Sequence, residues 1–227
     1  MYFVRLMPVS RKHLLPAGAL FLLCASLTFG ASTARQELDQ ALRATPDNER
    51  GAELYRQCIS CHGPRAGGQT NGNTPRLDGQ HFSVLVRQII DFRHGKRWDF
   101  RMEEIADQHH LEGAQDVADV AFYITRFEST AIPGTGEGIY TVEGAQLYAA
   151  RCASCHGPTA LGDEKLAVPR LAGQHYNYLL RQMHDAVDGR RPTLSREHIK
   201  QLAKLDVQQL QNLADYLSRA ALPETLK

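Results

Sequence analysis

Apolar residues recur along the chain at helical spacing in three kinds of segment, and each kind occurs twice. A short amphipathic stretch carries Leu54 and Tyr55 in the first half and Leu147 and Tyr148 in the second. A longer one runs from Asp78 to His94 and again from Ala172 to Asp188, stopped by Gly95 and Gly189. The last places Val117, Val120, Ala121 and Ile124 on one face, answered by Leu210, Leu213, Ala214 and Leu217. No segment alternates convincingly between apolar and polar with period two, so the pattern predicts an all-α fold. Between the halves, Glu128 to Gly138 holds Pro133, Gly134, Gly136 and Gly138, a linker composition.

The two halves restate each other in more than their periodicity. At an offset of 94, Pro75-Arg76-Leu77 returns as Pro169-Arg170-Leu171, Gly79-Gln80-His81 as Gly173-Gln174-His175, Leu85 as Leu179, and Arg87-Gln88 as Arg181-Gln182. Asp91, Gly95 and Arg97 return as Asp185, Gly189 and Arg191. Upstream, Gly51-Ala52-Glu53-Leu54-Tyr55 answers to Gly144-Ala145-Gln146-Leu147-Tyr148 with a slip of one residue. A chain of 227 residues has room for two modules of about a hundred residues each. The expected organisation is a module over 35–130, a linker over 131–140 and a second module over 141–227.

The first 34 residues differ from the rest. Arg5, Arg11 and Lys12 precede an apolar run from Leu14 to Leu27, and Ala31-Ser32-Thr33-Ala34 supplies small residues at a cleavage point after Ala34. This is the layout of an export signal, which implies a periplasmic mature protein; an uncleaved membrane anchor is the alternative. Without the signal the chain keeps 23 Lys+Arg against 25 Asp+Glu, a near-neutral balance that argues against nucleic acid or another polyanion as partner. Unless the signal segment stays in place, membrane contact would come only through partner proteins.

Chemistry enters with Cys58-Ile59-Ser60-Cys61-His62 and Cys152-Ala153-Ser154-Cys155-His156. C-x-x-C-H is the pattern of covalent haem attachment: both thiols add to the vinyl groups along one edge of the porphyrin, and the histidine becomes the proximal iron ligand. These motifs use all four cysteines that remain after the signal segment. Paired C-x-x-C elements could instead hold zinc, form disulfides or act as a thioredoxin-like redox pair, but none of these gives work to the histidine that follows each second cysteine. Two covalently bound haem c groups are therefore expected, on Cys58, Cys61 and His62 and on Cys152, Cys155 and His156.

With these motifs in place, the chain resembles the class I cytochromes c, and in particular the tandem di-haem cytochrome c4 family. That family carries a helix before C-x-x-C-H, a helix at the end of each domain and a Pro-x-Leu-x-Gly-Gln stretch in each half. The matching stretches are Pro75-Arg76-Leu77-Asp78-Gly79-Gln80 and Pro169-Arg170-Leu171-Ala172-Gly173-Gln174. The likeness spans residues 45 to 221. It implies two small helical domains with their haems near a shared interface, and electron transfer rather than chemistry on a substrate.

An iron that only passes electrons needs a second axial ligand, and methionine there raises the reduction potential. Met102, 40 residues after His62, lies where the resembled family carries that methionine. The second half has Arg196 at the matching offset. Its candidates are His198, 42 residues after His156; an iron left open or bound by water; and Met183, which shares an apolar face with Leu179, Leu180 and Val187. His184 is a residual candidate, and His81 and His175, present in both halves, point to a shared structural task. Histidine ligation would lower the second haem's potential and give the protein a direction of electron flow. The leading expectation is a periplasmic carrier between an oxidoreductase and a terminal acceptor such as a membrane-bound oxidase. The rival is a haem enzyme, or an enzyme's haem subunit, working at a second haem without methionine.

Overall fold

A computed structural model describes residues 29–129 and 132–220, with side chains from Thr33 onward. The described residues form eleven helices and no strand, only an isolated bridge between Asp163 and Val168. In chain order these are α1 (Phe29–Arg43), α2 (Asn48–Tyr55), α3 (Ile59–His62), α4 (Phe82–Arg93), α5 (Phe100–Ala106) and α6 (Ala114–Thr125). The second copy holds α7 (Thr141–Arg151), α8 (Ala153–His156), α9 (Tyr176–Val187), α10 (Arg196–Leu202) and α11 (Val207–Arg219). All six predicted apolar segments are thus helices.

Two of the remaining helices lie outside the haem motifs in the region after each glycine stop, and one lies at the amino-terminal end. The expected cleavage point after Ala34 falls inside α1, and residues 1–28 lie outside the described residues. Beyond that point α1 belongs to the first module: Leu38 and Ala41 lie against its core, and Glu37 bonds both Arg93 and His94 at the end of α4. Among the described residues no helix is long and apolar enough to cross a membrane.

Each module closes by packing the helix before its attachment motif on its last helix, α2 on α6 and α7 on α11, and glycine makes the close approach possible. A Cβ on Gly51 would lie 2.3 Å from the Asp119 carbonyl oxygen, and one on Gly144 2.2 Å from that of Asn212. Around these contacts lie two separate cores. The first gathers Tyr55, Val86, Ile90, Val117, Val120 and Ile124, the second Tyr148, Leu179, Met183, Leu210, Leu213 and Leu217. Their positions reproduce the periodicity read from the sequence, with Met183 a core residue of α9.

The duplicated polar residues join the halves reciprocally. Gln174 accepts from Arg76 N (3.0 Å) and donates to Arg76 O (2.8 Å), while Gln80 accepts from Arg170 N (3.0 Å) and donates to Arg170 O (3.0 Å). The paired histidines, the next residue in each copy, also reach backbone of the opposite copy: His81 Nε2 meets Leu161 O at 2.7 Å and His175 Nε2 meets Gly67 O at 2.9 Å. Each repeat therefore satisfies backbone groups of the other copy. Buried polar groups left unpaired cost about 1–3 kcal/mol each, so these exchanges fix the register of the two modules.

His175 makes that register sensitive to pH. Its Nδ1 accepts from Gly134 N at 3.0 Å, which requires Nε2–H to donate to Gly67 O and leaves no site for a second proton. Burial, with a smaller push from Arg76 against the pull of the Gly67 carbonyl, holds the imidazole below its ordinary value of 6.5. Below that pH the unfolded chain takes up a proton that the folded one does not, so stability from this residue is complete above 6.5 and declines as pH falls. His175→Gln should flatten the fall in unfolding free energy between pH 6.5 and 5 by up to about 1.4 kcal/mol per pH unit, measured by denaturant titration against the parent protein.

Candidate functional site

The two thiols and the imidazole of each motif are presented by a single helical turn. Tyr55 O accepts from Cys58 N (2.8 Å) as α2 ends, and Cys58 O accepts from both Cys61 N (3.3 Å) and His62 N (2.9 Å). The second copy repeats this with Tyr148 O and Cys152 O. Cysteines three residues apart on such a turn share a face. Cys61 and Cys155 are exposed, Cys58 and Cys152 half-buried, and none is in a disulfide. The Cys58 thiol is pushed up to about 12, by burial and then by Cys61, and burial also raises Cys152. Redox-active C-x-x-C pairs work through a lowered thiol pKa. These thiols are placed for attachment instead.

His62 and His156 turn inward and are buried. The Nδ1 of each stands 3.0 Å from a proline carbonyl, Pro75 O for His62 and Pro169 O for His156, so Nδ1–H donates and Nε2 is left as the ligating nitrogen. Burial lowers the first imidazole to about 4 and the second below its ordinary value, partly opposed by the proline carbonyls. Both are therefore neutral near pH 7, the form that binds a metal. Behind each ring, Tyr55 and Tyr148 donate their hydroxyls to Gly63 O and Gly157 O and tie the end of the motif to the core. Unbridged thiols on one face beside a neutral imidazole with one nitrogen anchored fit a covalently attached haem.

Pro75, Pro169, Tyr55 and Tyr148 are functional positions that motif spacing did not identify. Their signal was present: the Pro-Arg-Leu repeat and the tyrosine before each motif are among the residues that return in the second half.

Opposite the motifs stand α5 and α10, and here the structure corrects the register of the sequence comparison. The N-cap of α5 is Asp99, whose side chain accepts from Arg101 N, and that of α10 is Ser195, whose hydroxyl accepts from His198 N at 3.1 Å. Counted from these caps, Met102 and His198 are both the third residue of their helix. The counterpart of Met102 is therefore His198 and not Arg196, and the counterpart of His198 is not Glu104. The segment from Gly189 to Ser195 is two residues longer than that from Gly95 to Asp99, which moves the offset from 94 to 96. Ala106 and Leu202, equivalent in this register, are both buried.

The placement brings His198 to His156: their ring centroids are 6.0 Å apart with planes at 49°. Two imidazoles binding one metal ion from opposite sides stand about 6 Å apart centre to centre, given metal–nitrogen bonds of about 2 Å. Burial, with smaller contributions from His156 and Arg191, holds His198 below its ordinary pKa and keeps it neutral. In the first copy Met102 is half-buried, and the charge of its neighbour Arg101 acts on both His62 and Cys61, so the first turn of α5 borders the first motif. Met183 lies in the second core, and His184 is half-buried on the same helix.

Comparison with known proteins identifies the family. Residues 48–127 and 141–221 each match the family model described as cytochrome c. A curated cytochrome c4 from Azotobacter vinelandii is 30% identical over 148 residues, 59% of this chain and 69% of that protein. A protein of Stutzerimonas stutzeri named as a thiosulfate dehydrogenase electron acceptor is 26% identical over 74% of this chain and 81% of its own length. Among solved structures, reduced recombinant cytochrome c4 from Pseudomonas stutzeri superposes with a TM-score of 0.69 at 24% identity, covering 78% of this chain and all of that one.

Proposed function

The chain belongs to the cytochrome c family, as a tandem, di-haem member of the cytochrome c4 type with two covalently bound haem c groups, and on that premise we propose that it is a directional electron carrier. His62 and Met102 would ligate the first iron, His156 and His198 the second. The observation that carries this reading is the approach of His198 to His156 from the helix position that Met102 occupies in the other copy. A bound haem supplies one-electron exchange at each site. The protein's own contribution is to orient the proximal imidazole through a proline carbonyl, to choose the distal ligand, and to hold the two modules in one register. Methionine raises the potential and histidine does not, so electrons enter at the carboxy-terminal site and leave from the amino-terminal one.

The export-signal pattern before Ala34 supports a periplasmic location, and the partners are redox proteins. The donor is an oxidoreductase, a class to which the thiosulfate dehydrogenase in one relative's name belongs, and the acceptor is a membrane-bound oxidase. An enzymatic second haem would need a free sixth position, and His198 facing His156 argues against one.

Spectroelectrochemical titration tests the direction. Two one-electron steps are expected, the lower assigned to the second haem, and Met102→His should pull the upper step down towards it. Superposed steps in the parent protein, or an upper step indifferent to Met102→His, would overturn the assignment.

A further inference from the structure

Arg93, the last residue of α4, has a guanidinium with a different acceptor for each of its nitrogens, and its side chain is only 3% exposed. Nε donates to Ala106 O at 2.7 Å and Nη2 to Leu111 O at 2.6 Å, while Nη1 donates to the Glu37 carboxylate on α1. The other oxygen of Glu37 stands 2.7 Å from Nε2 of His94. Asp107 also feels the charge of Arg93, but it is exposed and accepts from His109 N at 2.9 Å. The ion pair of Arg93 is with Glu37.

The two carbonyls that Arg93 holds belong to the end of α5 and to the turn after it, and α5 carries Met102. A helix leaves its last carbonyls without partners of its own, and a planar guanidinium can bond two of them while keeping a third face for a carboxylate. Asp99 caps the other end of α5, so the helix is pinned at both ends. Met102 stands four residues, about 6 Å of helix rise, from Ala106. The second module has none of these parts. Val187 and Asp188 stand at the offsets of Arg93 and His94, and between residues 132 and 140 no helix answers to α1. Leu202 O, the counterpart of Ala106 O, accepts from Leu205 N at 3.0 Å, a closure made within the same segment. The difference follows the distal ligands: a thioether is a soft, weak donor that must be held in place, whereas imidazole binds iron more firmly.

We propose that α1 is a positioning element for the first distal ligand: through Glu37 and Arg93 it holds α5 in place and so sets how firmly Met102 stays on the first iron. This rests on the reading of Met102 as that ligand. Glu37 lies beyond the expected cleavage point after Ala34, so the exported chain keeps it. Without Glu37 the buried guanidinium loses its counter-charge, its hold on Ala106 O and Leu111 O loosens, and Met102 yields more readily to a competing ligand.

Titration of the oxidised di-haem protein with imidazole, followed by its visible spectrum, tests this. Glu37→Gln should tighten imidazole binding at the first iron about tenfold, the scale of one charge-assisted hydrogen bond lost, and leave the second haem unchanged. Arg93→Lys keeps a charge beside Glu37 but gives up the carbonyls around α5, and it should tighten binding as much. Leu38→Ala removes core packing from the same helix and leaves the ion pair, so it should lower stability to denaturant without moving the imidazole affinity. Parent affinity in Glu37→Gln or in Arg93→Lys would overturn the proposal. An equal tightening in Leu38→Ala would also overturn it, by making α1 a general stabiliser of the module. Failure of Met102 as the ligand shows separately, as the absence of a thioether-to-iron charge-transfer band in the parent protein.

Discussion

Changing His198 to alanine is expected to convert the second haem from low spin to high spin while the first keeps its spectrum. The imidazole of His198 is the group whose ring stands 6.0 Å from that of His156, and Ser195 caps its backbone N–H, so nothing else on α10 is held in the same place. Lys200, two residues on, points away across the helix, and Gln201, one turn on, donates to Glu197 at 2.9 Å. With alanine the sixth position would be open to water or small ligands, and the visible spectrum of the oxidised protein would show it directly. His198→Met makes the converse case. It installs the residue the first copy uses, so the second potential should rise towards the first and the gradient shrink. A His198→Ala protein with an unchanged spectrum would return the choice to an iron ligated from elsewhere.

The second large effect is on folding. Gly144→Ala gains about 1 kcal/mol of helix propensity in α7, so propensity alone predicts a more stable protein. The contact predicts the reverse. The new Cβ would lie 2.2 Å from Asn212 O, 2.8 Å from its carbonyl carbon and 2.8 Å from Tyr216 Cβ, and backbone on α11 cannot rotate away as a side-chain tip could. Overpacking of this kind costs about 1–3 kcal/mol or more, against a total stability of about 5–15 kcal/mol for a domain. The expected outcome is a net loss of about 2 kcal/mol that appears in denaturant as early melting of the second module, with Gly51→Ala doing the same to the first. A Gly144→Ala protein at least as stable as its parent would show that α7 and α11 can separate without penalty.

Much of this architecture is legible in the sequence because duplication supplies an internal control. The six apolar segments and the two attachment motifs follow from periodicity and spacing, since helix formation and thioether attachment are local. Helices α5 and α10 were harder. Seven residues long, with few apolar positions, they carry little periodic signal and owe their limits to Asp99 and Ser195 at their caps. That is also why His198 stood two places from its true counterpart: a loop that lengthens between Gly189 and Ser195 shifts the count without disturbing the helix it leads to.

The partners of Gln80, Gln174, His81 and His175 were not legible at all. Each bonds backbone in the opposite copy, and a motif read within one repeat does not contain the groups it satisfies. The same holds for Arg97, whose Nη2 donates to the Tyr178 hydroxyl at 2.6 Å and to Gln182 at 2.7 Å, both in the other copy.

The EPR spectrum of the fully oxidised protein tests most directly the claim that one duplicated attachment site has acquired two kinds of distal chemistry. Two low-spin ferric signals of equal weight and different g-values are expected, the methionine-ligated one altered by Met102→His and the bis-histidine one lost in His198→Ala. A high-spin signal in the parent protein, or two identical low-spin signals, would contradict it.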